Sequence, residues 1–148
     1  MDTMQNVIKL YFKSVKMFNE LESIPRDFGT GDLLYSSEIH TLVAIGNHPD
    51  VNLTELANIL DITKGGASKF VKKLLEKALI NKKSLATNKK EVLFELTEKG
   101  RVAFHGHEKF SQDVFGDIYS TLSAMDASEI KFLESFLHDL NAILMKKK

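Results

Sequence analysis

Apolar residues recur at steps of three and four over residues 3–23, where Val7, Ile8, Tyr11, Val15, Phe18 and Leu21 share one face. That spacing predicts a helix. Leu10, Phe12 and Met17 widen the band until the helix wants more than one apolar neighbour. Ile24-Pro25 ends it, and Gly29 and Gly31 mark residues 25–34 as a loop. A second helix begins at a cap on Ser36 or Ser37, runs to about Ile45 and stops at Gly46-Asn47-His48-Pro49. The pattern then tightens. Asn52 followed by Glu55 forms a capping box ahead of Leu56, Ala57, Ile59 and Leu60. A break at Asp61-Ile62-Thr63 follows, and Thr63 caps another helix. In that helix Ala67, Phe70, Val71, Leu74, Leu75 and Ala78 form a buried stripe, while Ser68, Lys69, Lys72 and Lys73 project to the other side.

Beyond it the period changes. Ile80 to Ser84 and Glu91 to Leu96 read as two strands of a hairpin, the second alternating Val92, Phe94 and Leu96 with Leu93 and Glu95. Residues 85–90 form the turn, and Asn88, Lys89 and Lys90 make it a flexible cationic tip. Thr97-Glu98 opens a long helix reaching about Leu122, with Val102, Phe110, Val114, Phe115 and Ile118 on its apolar side. Asp126 with Glu129 is a second capping box. The final helix places Ile130, Leu133, Leu137, Leu140 and Leu144 on a seam of alternating threes and fours. The expected class is mainly α with a minor β part: a helix-turn-helix with a wing, flanked by apolar terminal helices.

Charge sharpens this picture. The 148 residues carry no net formal charge, yet the charge is segregated. Residues 63–90 hold nine lysines against Glu76 alone, and residues 20–61 hold eight carboxylates against Arg26 alone. A local cationic patch on a neutral chain attracts phosphate while limiting indiscriminate binding. A lysine stripe is ordinarily only a solvated helix face. Here it lies on a capped helix held by a shorter one, which suits a DNA major groove. The candidate DNA contacts are Thr63, Lys64, Gly65, Ser68, Lys69 and Lys72 on the helix, with Lys89 and Lys90 on the wing. Arginine, asparagine and glutamine are missing from the helix, so sequence reading leans on DNA shape.

These residues resemble a known family. The Leu56-Ala57…Leu60 helix, the run Leu74-Leu75-Glu76-Lys77-Ala78-Leu79-Ile80 and the wing closing on Leu96-Thr97-Glu98-Lys99-Gly100 are similar to MarR transcriptional regulators, over nearly the whole chain. The resemblance implies one MarR-like domain over 1–148, with a winged helix-turn-helix lobe at 35–100 and dimerisation helices at 1–24 and 101–148. It implies a homodimer, more often a repressor, on a pseudo-palindromic operator in double-stranded DNA, released in many members by a small effector, aromatic or otherwise organic. Two positions depart from the family. Asn88, Lys89 and Lys90 stand where its wing usually carries Asp-Arg-Arg, and lysine lacks the planar fork of arginine. Asp61 stands where such turns commonly place glycine, although aspartate tolerates the left-handed conformation.

Other chemistry is sparse. There is no cysteine, which excludes disulfides and thiolate metal sites. His105 and His107 point to different helix faces, and His40, His48 and His138 are scattered, so no metal or other cofactor is expected. Gly-rich phosphate loops and nucleophile elbows are lacking, and no catalytic residue is expected. Phe12, Phe18, Phe28, Tyr35 and Tyr119 are candidates to line an effector pocket. The N-terminus is too interrupted by lysines for a signal peptide or membrane span, and a cytoplasmic protein is expected. The rival reading is a winged-helix module whose lysine face binds an acidic protein partner.

Overall fold

A computed structural model describes residues 2–148. It divides into two units, one through Glu108 and one over Lys109–Lys148. The first unit opens with α1 (Thr3–Ser23), on which no residue is buried. Residues 25–34, expected as a plain loop, contain a small antiparallel hairpin. β1 (Arg26–Asp27) pairs β2 (Leu33–Leu34) in the register Arg26↔Leu34 and Asp27↔Leu33. Asp27 builds the connection by accepting the N–H groups of Gly29, Thr30 and Gly31 at 2.8, 2.9 and 3.0 Å. These bonds, Gly29's foremost, hold the Asp27 carboxyl below its ordinary value.

The next helix, α2 (Ser36–Asn47), is capped at Tyr35 and not at either serine. Glu38 Oε2 accepts the Tyr35 N–H at 2.9 Å, and only Tyr35 has an acidic residue three positions on, where Ser36 and Ser37 would have Ile39 and His40. Ile39, Leu42 and Ile45 on α2 are buried. β3 (Val51–Asn52) leads into α3 (Leu53–Leu60), and α4 (Lys64–Glu76) follows. α2, α3 and α4 pack on one another, with Leu42, Leu56 and Leu74 fully buried. Ala78, assigned from sequence to the buried stripe, is exposed. The helix has ended at Glu76, and Ala78 sits in the turn beyond it with a left-handed φ of 56°.

β4 (Ile80–Leu85) and β5 (Asn88–Leu96) form the wing, and β3 adds a third strand that the sequence pattern did not disclose, in the order β3-β5-β4. On β5 the expected alternation fails. Leu93 and Phe94 are both buried while Val92 is exposed. Successive strand residues face opposite ways, so the central strand is covered on both faces at Leu93–Phe94. The connection is also shorter than expected, with Asn88, Lys89 and Lys90 lying in β5 itself and not in a loose tip.

α5 (Glu98–Ser123) begins in the first unit, where Thr97 Oγ1 accepts the Gly100 N–H at 2.9 Å and donates to the Ala78 carbonyl at 2.7 Å. The second unit consists of the remainder of α5 and of α6 (Ala127–Met145). Asp126 caps α6, accepting the N–H groups of Ser128 and Glu129 while Glu129 accepts the Asp126 N–H at 2.8 Å. No residue of α6 is buried. Among the described residues no helix is long and apolar enough to cross a membrane.

Candidate nucleic-acid interface

The orientation of α4 follows from its neighbours. Asn52 Oδ1 accepts the Glu55 N–H at 2.8 Å, and Glu55 Oε2 accepts the Asn52 N–H at 3.0 Å, which closes the expected capping box on α3. Asp61 turns the chain in the left-handed region at φ 52°, ψ 47°. Thr63 Oγ1 then accepts the Gly66 N–H at 3.0 Å and starts α4. Ala67, Val71 and Leu74 bury one face of α4, so its opposite face is directed outward by the packing and not by the charges it carries.

That outward face contains the sequence-derived candidates. Thr63, Lys64, Gly65, Ser68, Lys69 and Lys72 are all exposed, and so are Lys89 and Lys90 on β5. A Cβ built on Gly65 meets nothing nearer than Thr63 Oγ1 at 3.9 Å. The chain's own packing therefore does not require glycine there.

The lysines sort into two groups. Among the described residues, no carboxylate lies within ion-pair distance of Lys64, Lys69, Lys72, Lys89 or Lys90. Lys77 and Lys83, counted from sequence as part of the same cationic patch, are instead committed to the fold. Lys77 Nζ lies 3.0 Å from the buried Glu38 carboxylate. Lys83 Nζ lies 2.6 Å from Asp50 and 3.2 Å from Glu95. Asp50 first, then Glu95, hold the Lys83 ammonium above its ordinary pKa. The outward charge is smaller than composition suggests, and it is concentrated on the exposed side of α4 and the outer part of the wing.

Sequence reasoning missed the groups that join wing to helix. Asn52 Nδ2 donates to Glu91 Oε1 at 2.7 Å, and Asn88 Nδ2 donates to Glu91 Oε2 at 3.4 Å. Asn52 was legible as a cap, but its second bond spans a separation that no local motif reports.

The aromatic candidates are dispersed in environment. Phe28 is buried with its ring 5.6 Å from His107. Phe12, Phe18 and Tyr35 are exposed. Tyr119 lines, with Phe115, Gly116 and neighbouring serines of α5, an open cavity of about 840 Å³ in the second unit. The histidines are less scattered than the sequence suggests. The His40 and His107 rings lie 5.8 Å apart, and His40 Nε2 is 3.6 Å from Glu22. Burial, then the neighbouring His40, pushes the His107 pKa down, against a smaller pull from Glu22 and Glu108. Among the described residues, no group of three or more histidine or acidic side chains is arranged to hold a metal ion.

Residues 34–92 match the model of the MarR family. The chain is 34% identical over 108 residues to the HTH-type transcriptional regulator PchR of Bacillus subtilis, covering 73% of this chain and 64% of that protein. It is 30% identical over 122 residues to the uncharacterized HTH-type transcriptional regulator YhjH of the same organism, covering 82% and 70%. In fold it is similar to Lactococcus lactis ZitR in complex with DNA, with a TM-score of 0.79 at 20% identity over 97% of this chain and 99% of that one.

Proposed function

The chain belongs to the MarR family, and from that premise we propose that it is a DNA-binding transcriptional regulator and not an enzyme. It acts as a homodimer on a pseudo-palindromic operator, with one α4 in a major groove per half-site and each wing on flanking backbone or minor groove. The observation that carries this reading is the set of exposed, unpaired lysines on a helix whose other face is buried and whose start is capped by Thr63. Ammonium groups with no internal partner neutralise phosphate and release its counterions. The open space at Gly65 lets backbone approach a duplex closely. Repression is carried over from the family, whose members more often repress, and so is release by a small organic effector.

Dimerisation is supported by what a single chain leaves uncovered. On α1, Phe12 is 64% exposed, and on α6, Phe132 is 71% exposed, each beside further exposed apolar residues. Apolar surface on this scale marks an interface in a protein that stays in solution. Sedimentation equilibrium at micromolar concentration is expected to give twice the chain mass, and a monomer there would refute the two-fold arrangement.

Selection from a randomised duplex pool supplies a binding site for the direct test. On that duplex Lys69→Ala is expected to weaken binding and to lower the slope of log affinity against log salt. The fall is about one per lost phosphate contact, hence about two for a dimer. Lys69 is exposed, so the denaturation midpoint should not move. An unchanged slope would remove Lys69 from the interface.

A further inference from the structure

We infer that Glu91 is a positioning residue, whose carboxylate fixes the lysine-bearing segment of the wing relative to the recognition helix. This rests on the reading that Lys89 and Lys90 meet DNA. The need for such a fixture lies in the sheet. β3 pairs β5 only at Val51↔Phe94 and Asn52↔Leu93. On the other flank the β4–β5 ladder is regular from Ile80↔Leu96 to Lys83↔Leu93, then slips and resumes at Leu85↔Asn88. Ser84 alone thus stands opposite Lys89–Val92, and the stretch that carries both outer lysines lacks a regular ladder on either side. A loosely held segment must be ordered when it docks, which weakens binding.

Side chains replace the missing ladder. Asn52 Nδ2 donates to Glu91 Oε1 at 2.7 Å, Asn88 Nδ2 donates to Glu91 Oε2 at 3.4 Å, and the Lys90 N–H donates to Asn88 Oδ1 at 3.3 Å. Asn52 serves two ends at once, because its Oδ1 is already occupied by the Glu55 N–H at the α3 cap. The requirement selects the residue. Aspartate caps equally well but has no donor, and serine caps but is too short to reach Glu91. The relay therefore runs from the first turn of the helix-turn-helix to the backbone beside Lys89. Its cost is a carboxylate next to the groups that face phosphate.

That opposition provides the test. Glu91→Gln and Glu91→Ala remove the same charge, so their electrostatic gain on DNA is equal. Only glutamine keeps a carbonyl oxygen for Asn52 Nδ2. On the selected duplex, at one salt concentration, Glu91→Gln is expected to bind about fivefold more tightly than Glu91→Ala, the worth of one hydrogen bond. The two should share one salt slope, with the alanine variant slightly the less stable because the Asn52 bond forms within the folded chain. Asn52→Ser, which keeps the α3 cap, should weaken the wild-type protein by a similar factor and leave Glu91→Ala unchanged. Equal affinities for the glutamine and alanine variants would overturn the positioning role. The double variant Lys89→Ala/Lys90→Ala separates the two layers. If it lowers affinity and slope while the glutamine and alanine variants stay equal, only the role of Glu91 fails. If it changes neither, the wing does not touch DNA and both readings fall.

Discussion

Gly100→Ala is expected to destabilise the protein by about 3 kcal/mol, near the upper end for overpacking a filled site. Intrinsic propensity argues the other way, since alanine is favoured over glycine inside a helix by about 1 kcal/mol. Geometry decides the sign. A Cβ at Gly100 would overlap the Leu79 carbonyl oxygen, far inside contact distance, and that oxygen belongs to the main chain and cannot rotate away. Leu79 is itself fully buried, and its carbonyl accepts the Thr97 N–H at 3.1 Å. Relieving the overlap means lifting the start of α5 off the turn after α4. That strains the bond from Thr97 Oγ1 to the Ala78 carbonyl and the bond from Lys99 Nζ to the Lys77 carbonyl, at 2.7 and 3.0 Å. Urea denaturation followed by circular dichroism measures the effect, and a midpoint equal to the wild type would show that α5 can shift freely. The same junction fixes the end of α4, so affinity for the selected duplex should fall with stability. The glycine of the Leu96-Thr97-Glu98-Lys99-Gly100 run thus has a mechanical cause: two backbones meet there with no room for a side chain.

What the sequence disclosed and what it withheld divide along one physical line. The caps at Asn52, Thr63 and Asp126 were legible because a capping bond joins residues two or three apart, and its chemistry is written in consecutive letters. The left-handed turn at Asp61 was legible from the glycine that such turns commonly place there, whose conformation aspartate tolerates. β3 was not, since two residues show no period and their partners lie far along the chain at Leu93 and Phe94. The wing was foreseen as a hairpin but drawn with too long a turn, because the slip opposite Ser84 depends on pairing and not on composition. The outward lysines of α4 were legible from helical phase. Which lysines are neutralised at home was not. Lys77 and Lys83 look like their neighbours in the sequence, and only the fold brings Glu38, Asp50 and Glu95 to them.

Lys77→Met should expose that distinction most sharply. The Glu38 side chain is only 2% exposed, and its Oε1 lies 3.0 Å from Lys77 Nζ. Lys77 also donates to the Leu33 carbonyl at 3.1 Å, tying the end of α4 to β2. Methionine keeps most of the apolar stem and removes the ammonium, which leaves a buried carboxylate whose remaining donor among the described residues is the Tyr35 N–H at 2.9 Å. An uncompensated buried charge costs about 3 kcal/mol when its partner is deleted. Neutralising the carboxylate as well, in Lys77→Met/Glu38→Gln, should recover a large part of that loss, because glutamine still accepts from Tyr35 and carries no charge. A double-mutant cycle in urea reads the coupling, and additive losses would show that the two side chains act separately. The same variants discriminate structure from recognition. Lys77→Met should lower the denaturation midpoint and leave the salt slope of DNA binding untouched, the reverse of Lys69→Ala. Were Lys77→Met to flatten the slope at unchanged stability, its ammonium would be spent on phosphate and the division of the lysines drawn from the ion pairs would be wrong.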